Sequence, residues 1–250
     1  MEDVAVTSPT FPVVEIFGPT IQGEGACAGL RSHFIRFGYC DGLPTGHCSW
    51  CDSMHAVDPK LAGSWERLTI TEITDRLLAL SPYCRTVTLS GGNPLLYELT
   101  DLVLRLHYRH GYTIWVETQG TVYRSWLRLC NLTVSPKPPS AGECDFNRLS
   151  DFLRKREEDL SAVSRTALKI PVDPGFQDGA DFEFAKTLFM LYDRPWIEPY
   201  LSVVTYPSDE PQDVLLRWEQ TIEWLKQADM PDVACLPQLH VLLWGHERGV

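Results

Sequence analysis

The sequence predicts an α/β fold, with parallel strands in an open sheet or partial barrel and helices outside. Three observations predict it. Short β-rich runs alternate with amphipathic runs over most of the 250 residues, and repeated βα order implies parallel strands joined by right-handed crossovers. With 44% hydrophobic and 22% charged residues, the composition is globular and the length suffices for one substantial core. No repeat, low-complexity tract or linker breaks the chain, because the PKPPSAG stretch at 136–142 is short enough to be a loop. A single domain, 1–250, is expected.

The elements follow in order. SHFIRFG (32–38) reads as a strand, and TEITDRLLAL (71–80) as a helix with Thr69 or Thr71 near its N-cap. TVTLS (86–90) is a β-rich run, followed by a helix through LLYELTDLVLRLHYRH (95–110). YTIWVET (112–118) is a strand, RSWLRLC (124–130) a short helix and NLTVS (131–135) a strand. A charged helical stretch covers 146–160, and TALKIPV (166–172) is the next strand. DFEFAKTLFMLY (181–192) is a helix and WIEPYLSVVT (196–205) a strand. PQDVLLRWEQTIEWLKQA (211–228) is a helix with Pro near its first position, before VACLPQLHVLLWG closes the pattern.

Charge narrows the function classes. The 22 Lys and Arg against 33 Asp and Glu leave a net charge of −11, which opposes a broad grip on nucleic acid. An anionic small ligand would need locally placed Arg or Lys. The first ten residues are acidic and polar with no apolar run behind them, so no secretory signal is expected. No apolar run approaches the roughly 18 residues of a membrane span. A reducing, cytoplasmic setting follows, in which clustered thiols point to metal or catalysis. Of eight cysteines, Cys27, Cys84, Cys130, Cys144 and Cys235 are scattered and read as ordinary thiols, whereas Cys40, Cys48 and Cys51 cluster.

In folds of this kind, chemistry sits in loops at strand C-terminal ends. The Cys-x7-Cys-x2-Cys loop, 40–51, follows the first of the strands above. Three thiolates there suit zinc, with His47 or His55 as fourth ligand, or an iron–sulfur cube with one open iron. The loop alone leaves both open, as well as a metal-free reading. The TLSGGNP segment (88–94) ends another strand. Gly91 and Gly92 remove side chains where a ligand approaches backbone, and Pro94 stops the strand.

Together the cysteine loop and GG-x-P segment resemble the radical S-adenosylmethionine (SAM) enzymes. EIFGPTIQGEG (15–25), FIRFGYC (34–40), CSWCDS (48–53), LSGGNP (89–94), ETQGT (117–121), SPKPPS (135–140) and LPQLHVLLWGHERGV (236–250) narrow the resemblance. In that order they are similar to the 7-carboxy-7-deazaguanine synthase family.

The resemblance implies a modified partial (β/α)6 radical SAM barrel. Residues 1–30 would be an N-terminal extension contributing a substrate loop, and 230–250 a segment closing the site. It implies a carbon–nitrogen lyase that contracts 6-carboxy-5,6,7,8-tetrahydropterin to 7-carboxy-7-deazaguanine with loss of ammonia, on the route to queuosine and other 7-deazapurines. Cys40, Cys48 and Cys51 would hold a [4Fe–4S] cluster whose open iron chelates SAM. Trp50, Asp52, Gly92, Asn93, Glu117, Gln119, Ser135 and Lys137 would bind SAM, and Ser53 a magnesium ion. Ile21, Gln22, Gly23, Glu24, Arg36, Ser90, His240 and the carboxylate of Val250 would meet the pterin. No protein side chain is expected to act on the reacting atoms beyond the cluster and the SAM radical. An electron donor such as flavodoxin or ferredoxin and a homodimer are implied, with no direct nucleic-acid or membrane partner. The competing expectations are a radical SAM enzyme of other specificity, such as an activase, and a non-enzymatic zinc module.

Three departures stand out. Seven residues separate Cys40 from Cys48 where three are common, Asn93 replaces the usual Glu of the GG-x-P segment, and Ser53 replaces a common Thr. An extended loop costs little in closure entropy, and an amide oxygen still accepts a hydrogen bond without charge assistance.

Overall fold

The computed structural model describes residues 8–42, 46–142, 144–161, 164–230 and 232–250. Among the described residues nine strands form one sheet: β1 (Thr10–Ile21), β2 (Arg31–Phe37), β3 (Glu66–Thr69), β4 (Thr86–Gly91), β5 (Thr113–Thr118), β6 (Asn131–Val134), β7 (Thr166–Val172), β8 (Ile197–Val203) and β9 (Ala234–Leu236). The order is β3-β1-β2-β4-β5-β6-β7-β8-β9. Every pairing from β2 to β9 is parallel. Helices α1 (Met54–Val57), α2 (Ile70–Leu80), α3 (Thr100–Leu104), α4 (Phe146–Glu158), α5 (Ala180–Leu191), α6 (Pro211–Gln227) and α7 (Leu239–Trp244) connect or follow them. Among the described residues no helix is long and apolar enough to cross a membrane.

The βα order predicts a parallel sheet, and the structure departs from it at one edge. β1 and β3 are antiparallel, with β1 paired to both β2 and β3. Residues 10–21, expected within an N-terminal extension, are thus a strand of the sheet itself. Gly18-Pro19 interrupts its register between Phe17 and Thr20, and it lacks the alternation that marks a half-buried strand. β3 is four residues at the sheet edge, three of them polar (ERLT), and it lacks the β-rich composition that marks the other short strand, β6.

Caps explain the helix boundaries. Thr69, one of two expected caps, forms a capping box with Glu72 at the start of α2. Pro211 opens α6 at its first turn, as expected. The helix expected over 95–110 is broken. The Asn93 side chain accepts from the Leu95 amide (3.2 Å), closing a 3₁₀ turn at Pro94–Leu96. The α-helix starts only at Thr100, and Arg105–Arg109 is a π-helical turn. The short helix expected at 124–130 is 3₁₀ over Ser125–Leu129.

Strand parity divides the sheet. Ile35, Phe37, Val87, Leu89, Ile114, Val116, Leu132, Val134, Leu168, Ile170 and Leu201 are buried in one continuous apolar core with the helices. The alternate residues, Arg36, Ser90, Glu117, Thr133, Lys169 and Ser202, point to the opposite face and line a cavity. A smaller cluster of Val203, Val214 and Val241 joins α6 and α7 to β8.

One buried cation is structural. Arg156 of α4 is 0% exposed. Its guanidinium donates to Thr166 Oγ1 (3.0 Å), Leu127 O (2.8 Å), Cys130 O (3.1 Å) and Arg165 O (3.3 Å), tying the 3₁₀ turn to the start of β7. Arg156→Met strands these acceptors in the core and is expected to cost about 3 kcal/mol. A thermal melt should fall by roughly 6–12 °C for a chain of this size; an unchanged midpoint would contradict the role.

Candidate active site

All predicted site residues except Asn93 line one cavity of about 540 Å³ at the C-terminal ends of the parallel strands. Its walls come from the loop after β1, the cysteine loop, the ends of β4 to β8, and the chain from Gln238 to Val250.

The cysteine loop leaves β2 beside the end of β4. Gly91 and Gly92, expected to clear space for a ligand, first clear space for the chain itself. A Cβ on Gly91 would stand 2.0 Å from Phe37 O, and one on Gly92 2.0 Å from Tyr39 O and 2.8 Å from Cys40 N. The close approach is fastened by Gly92 N to Phe37 O (3.2 Å) and Asn93 N to Tyr39 O (2.9 Å). Cys51 N donates to Cys48 O (3.2 Å), folding the second and third cysteines into one turn. Burial, helped by the Asp52 carboxylate, pushes the Cys51 thiol up to about 12, and burial likewise raises Cys40. Such thiols become ligands when a metal cation displaces their protons. His47 is exposed and does not line the cavity, and His55 Nε2 sits 3.6 Å from Glu15 Oε1. That leaves the three thiols as the donor set at the cavity, and three thiols fit a cube with one open iron.

Asp41, which directly follows Cys40, is a hub that the sequence reading missed. Its Oδ1 accepts from Asn93 Nδ2 (2.8 Å) and Gln119 Nε2 (2.8 Å), and its Oδ2 accepts from Thr121 Oγ1. Asn93 is fully buried, and its Oδ1 accepts from Leu95 N and Thr118 Oγ1 (both 3.2 Å). Both lone pairs of that oxygen are engaged within the protein, and the side chain braces the loop from behind. On the other side, Trp50 Nε1 donates to Ser140 Oγ (2.9 Å), which donates to the buried Asp181 carboxylate (2.6 Å). Lys137 Nζ lies 5.7 Å from the Trp50 ring centroid and 3.2 Å from Ser135 Oγ.

Across the cavity, Glu117 accepts from Gln22 Nε2 (2.8 Å) and Ser90 Oγ (2.6 Å), joining the loop after β1 to the ends of β4 and β5. Arg36 Nε donates to Glu15 (2.6 Å) and Nη1 to Ser53 Oγ (3.1 Å). His240 packs on Gly23, where a Cβ would stand 2.2 Å from Nδ1. Glu24, partly buried, sits between Lys169 Nζ and Gln238 Nε2, which donate to its two oxygens. Burial alone would raise its pKa, but the Lys169 ammonium, with His240, holds the carboxyl at about 2. Glu24, Asp52 and His240 bring ligand atoms within 4.8 Å of one another. The Lys169 ammonium already on Glu24 opposes a further cation there.

No family model matches the chain. Full-length relatives do. A 7-carboxy-7-deazaguanine synthase of Bacillus cereus is 36% identical over 249 residues, covering 96% of this chain and 98% of that protein. The enzyme of the same name from Bacillus subtilis is 37% identical with the same coverage. The chain belongs to the 7-carboxy-7-deazaguanine synthase family.

Its members are radical SAM lyases, and a [4Fe–4S] cluster and SAM are the cofactors that this family implies. The fold agrees. The crystal structure of QueE from Escherichia coli superposes with a TM-score of 0.64 at 22% identity, over 92% of this chain and 94% of that one. Streptococcus suis SuiB bound to S-adenosylmethionine matches with a TM-score of 0.52 at 11% identity, over 84% of this chain and 53% of that one. For a 7-carboxy-7-deazaguanine synthase two departures now have a structural account. Asp41, inside the lengthened cysteine spacing, supplies a carboxylate beside Asn93, where the family's segment usually carries Glu. Ser53 retains a hydroxyl held between Arg36 and Asp52.

Proposed function

We propose that this cavity contracts 6-carboxy-5,6,7,8-tetrahydropterin to 7-carboxy-7-deazaguanine with loss of ammonia. One observation carries the residue assignment: the three-thiol loop and the polar inner faces of β2, β4, β5, β6, β7 and β8 converge on a single cavity. When bound at Cys40, Cys48 and Cys51, the cluster with SAM supplies one-electron cleavage and hydrogen abstraction.

The chain's own residues bind, orient and exclude water. Trp50, Ser135 and Lys137 form the wall beside the cysteine loop and take the adenosyl end of SAM. Gly92, Asp52 and Gln119 flank its methionine end, with backbone carbonyls at the end of β4 meeting the ammonium in place of Asn93. Glu117, bonded to Gln22 and Ser90, holds the SAM and pterin sides in one frame. Glu24 and Gln22, backed by Ile21 and Gly23, accept the amino and ring N–H edge of the pterin. Arg36 is oriented by Glu15 and Ser53, which leaves Nη2 for the substrate carboxylate. His240 and the Val250 carboxylate close the cavity. The Ser53 and Asp52 oxygens are hard donors suited to magnesium. The three cysteines are partly exposed, which supports access by a small reductant such as flavodoxin or ferredoxin.

Anaerobic incubation with 6-carboxytetrahydropterin, SAM and a reductant, followed by mass detection, is expected to yield the contracted product. Intact pterin after cluster loading, with SAM cleaved, would indicate another radical SAM specificity.

A further inference from the structure

We propose that Lys169 is a positioning residue for substrate: with Gln238 it brackets the Glu24 carboxylate, aiming its remaining lone pairs at the aminopyrimidinone edge of the pterin. This rests on the assignment of Glu24 to the substrate.

Lys169 lies on β7, on the cavity side of a strand whose other face, Leu168, Ile170 and Val172, is core. It is only 8% exposed, and its ammonium is placed on Glu24 Oε2. A buried ammonium must be paired. Glu24 Oε1 takes the second bond, from Gln238 Nε2, and Gln238 is itself fixed by Thr205 Oγ1 on its Oε1. The bracket therefore runs from β7 through Glu24 to the segment that closes the cavity. An ionised carboxylate has about four acceptor sites. Two are engaged by the bracket; Glu24 lines the cavity, and the other two are assigned to a ring N–H and an exocyclic amine. The low pKa of Glu24, with Lys169 raised by the same carboxylate against the effect of burial, agrees with a carboxylate held ionised for this task. The Lys169 ammonium also lies in the field of the Glu117 and Asp52 carboxylates.

The test is equilibrium binding to cluster-loaded protein with SAM, using the fluorescence of two probes, 6-carboxypterin and pterin, which lacks the carboxylate. Lys169→Met is expected to weaken both by a similar factor, about 10- to 100-fold for a lost charge-assisted bracket. The KM for the pterin substrate should rise while that for SAM stays unchanged. In a Glu24→Gln background, Lys169→Met should add little, because neighbours in one network couple. Loss of 6-carboxypterin alone would mean that Lys169 grips the substrate carboxylate and would overturn the proposal. So would additive losses, or full affinity in Lys169→Met beside weak binding in Glu24→Gln. If Glu24→Gln itself binds both probes normally, the substrate assignment of Glu24 fails instead. Should Lys169→Met not fold, Gln238→Leu leaves the ion pair intact and is expected to weaken both probes; unchanged affinity there overturns the bracket.

Discussion

Cys48→Ala protein, reconstituted anaerobically with iron and sulfide, is expected to lack the broad absorption near roughly 400 nm of thiolate-ligated iron and to leave SAM uncleaved. The reason lies in the donor set. With His47 exposed and outside the cavity and His55 Nε2 3.6 Å from Glu15, the loop offers three thiols to the cavity, and a cube with one open iron uses all three. Cys40, Cys48 and Cys51 all line the cavity, and removing any one of them leaves the cube a ligand short. Cys40→Ala and Cys51→Ala should behave alike. Cys235→Ala, outside the cavity, should keep colour and activity. Wild-type protein that stays colourless and retains stoichiometric zinc would refute the cluster assignment, and a brown, active Cys48→Ala variant would mean that the triad is misassigned.

The second large effect is steric. Gly91→Ala is expected to destabilise the protein by about 3 kcal/mol or more, from left-handed strain combined with a backbone clash. Gly91 has φ +134°, and a Cβ there meets Phe37 O at 2.0 Å and Phe37 N at 2.6 Å. These are atoms of β2, the strand that leads into the cysteine loop, and no side chain rotation relieves the contact. The variant should therefore melt lower and take up less iron per chain. Gly92→Ala, whose Cβ meets Tyr39 O and Cys40 N, should lose iron uptake even where the melt is milder, since it pushes directly on the first cysteine. Gly63→Ala meets nothing within 4 Å and is the control, expected within about 0.5 kcal/mol of wild type. Iron content in Gly91→Ala and Gly92→Ala equal to that of Gly63→Ala would refute this account of the glycines.

Much of the fold is legible as periodicity. The six longer parallel strands appear as β-rich runs because one face is core and the other a lined cavity, and α2, α4, α5 and α6 carry apolar stripes. β1 and β3 were not legible. Gly18-Pro19 breaks the alternation of β1, and β3 is defined by its pairing with β1 rather than by its four residues. The break between Pro94–Leu96 and Thr100 also lies beyond periodicity, because the Asn93 side-chain cap imposes it.

The candidate site divides similarly. Short motifs mark residues close in the chain to the cysteines and to strand ends, and all but Asn93 reach the cavity. Asp41, Glu15, Gln238 and Lys169 escaped because their meaning is relational. Lys169 had one available signal: in TALKIPV it shares the parity of Ala167, which pairs with Thr133, which pairs with Glu117. A lysine on that inner row, between apolar neighbours, belongs to a polar cavity.

The sequence by itself determined the parallel α/β architecture, the three-cysteine loop and the order of motifs that marks the family, because these reside in local spacing and strand parity. The tertiary structure alone decided which charges face one another. Glu24 meets Lys169 across 145 residues and Gln238 across 214, and Asp41 meets Gln119 across 78. Pairing energies of buried charges depend on through-space distance and burial, which the order of residues along the chain does not encode locally.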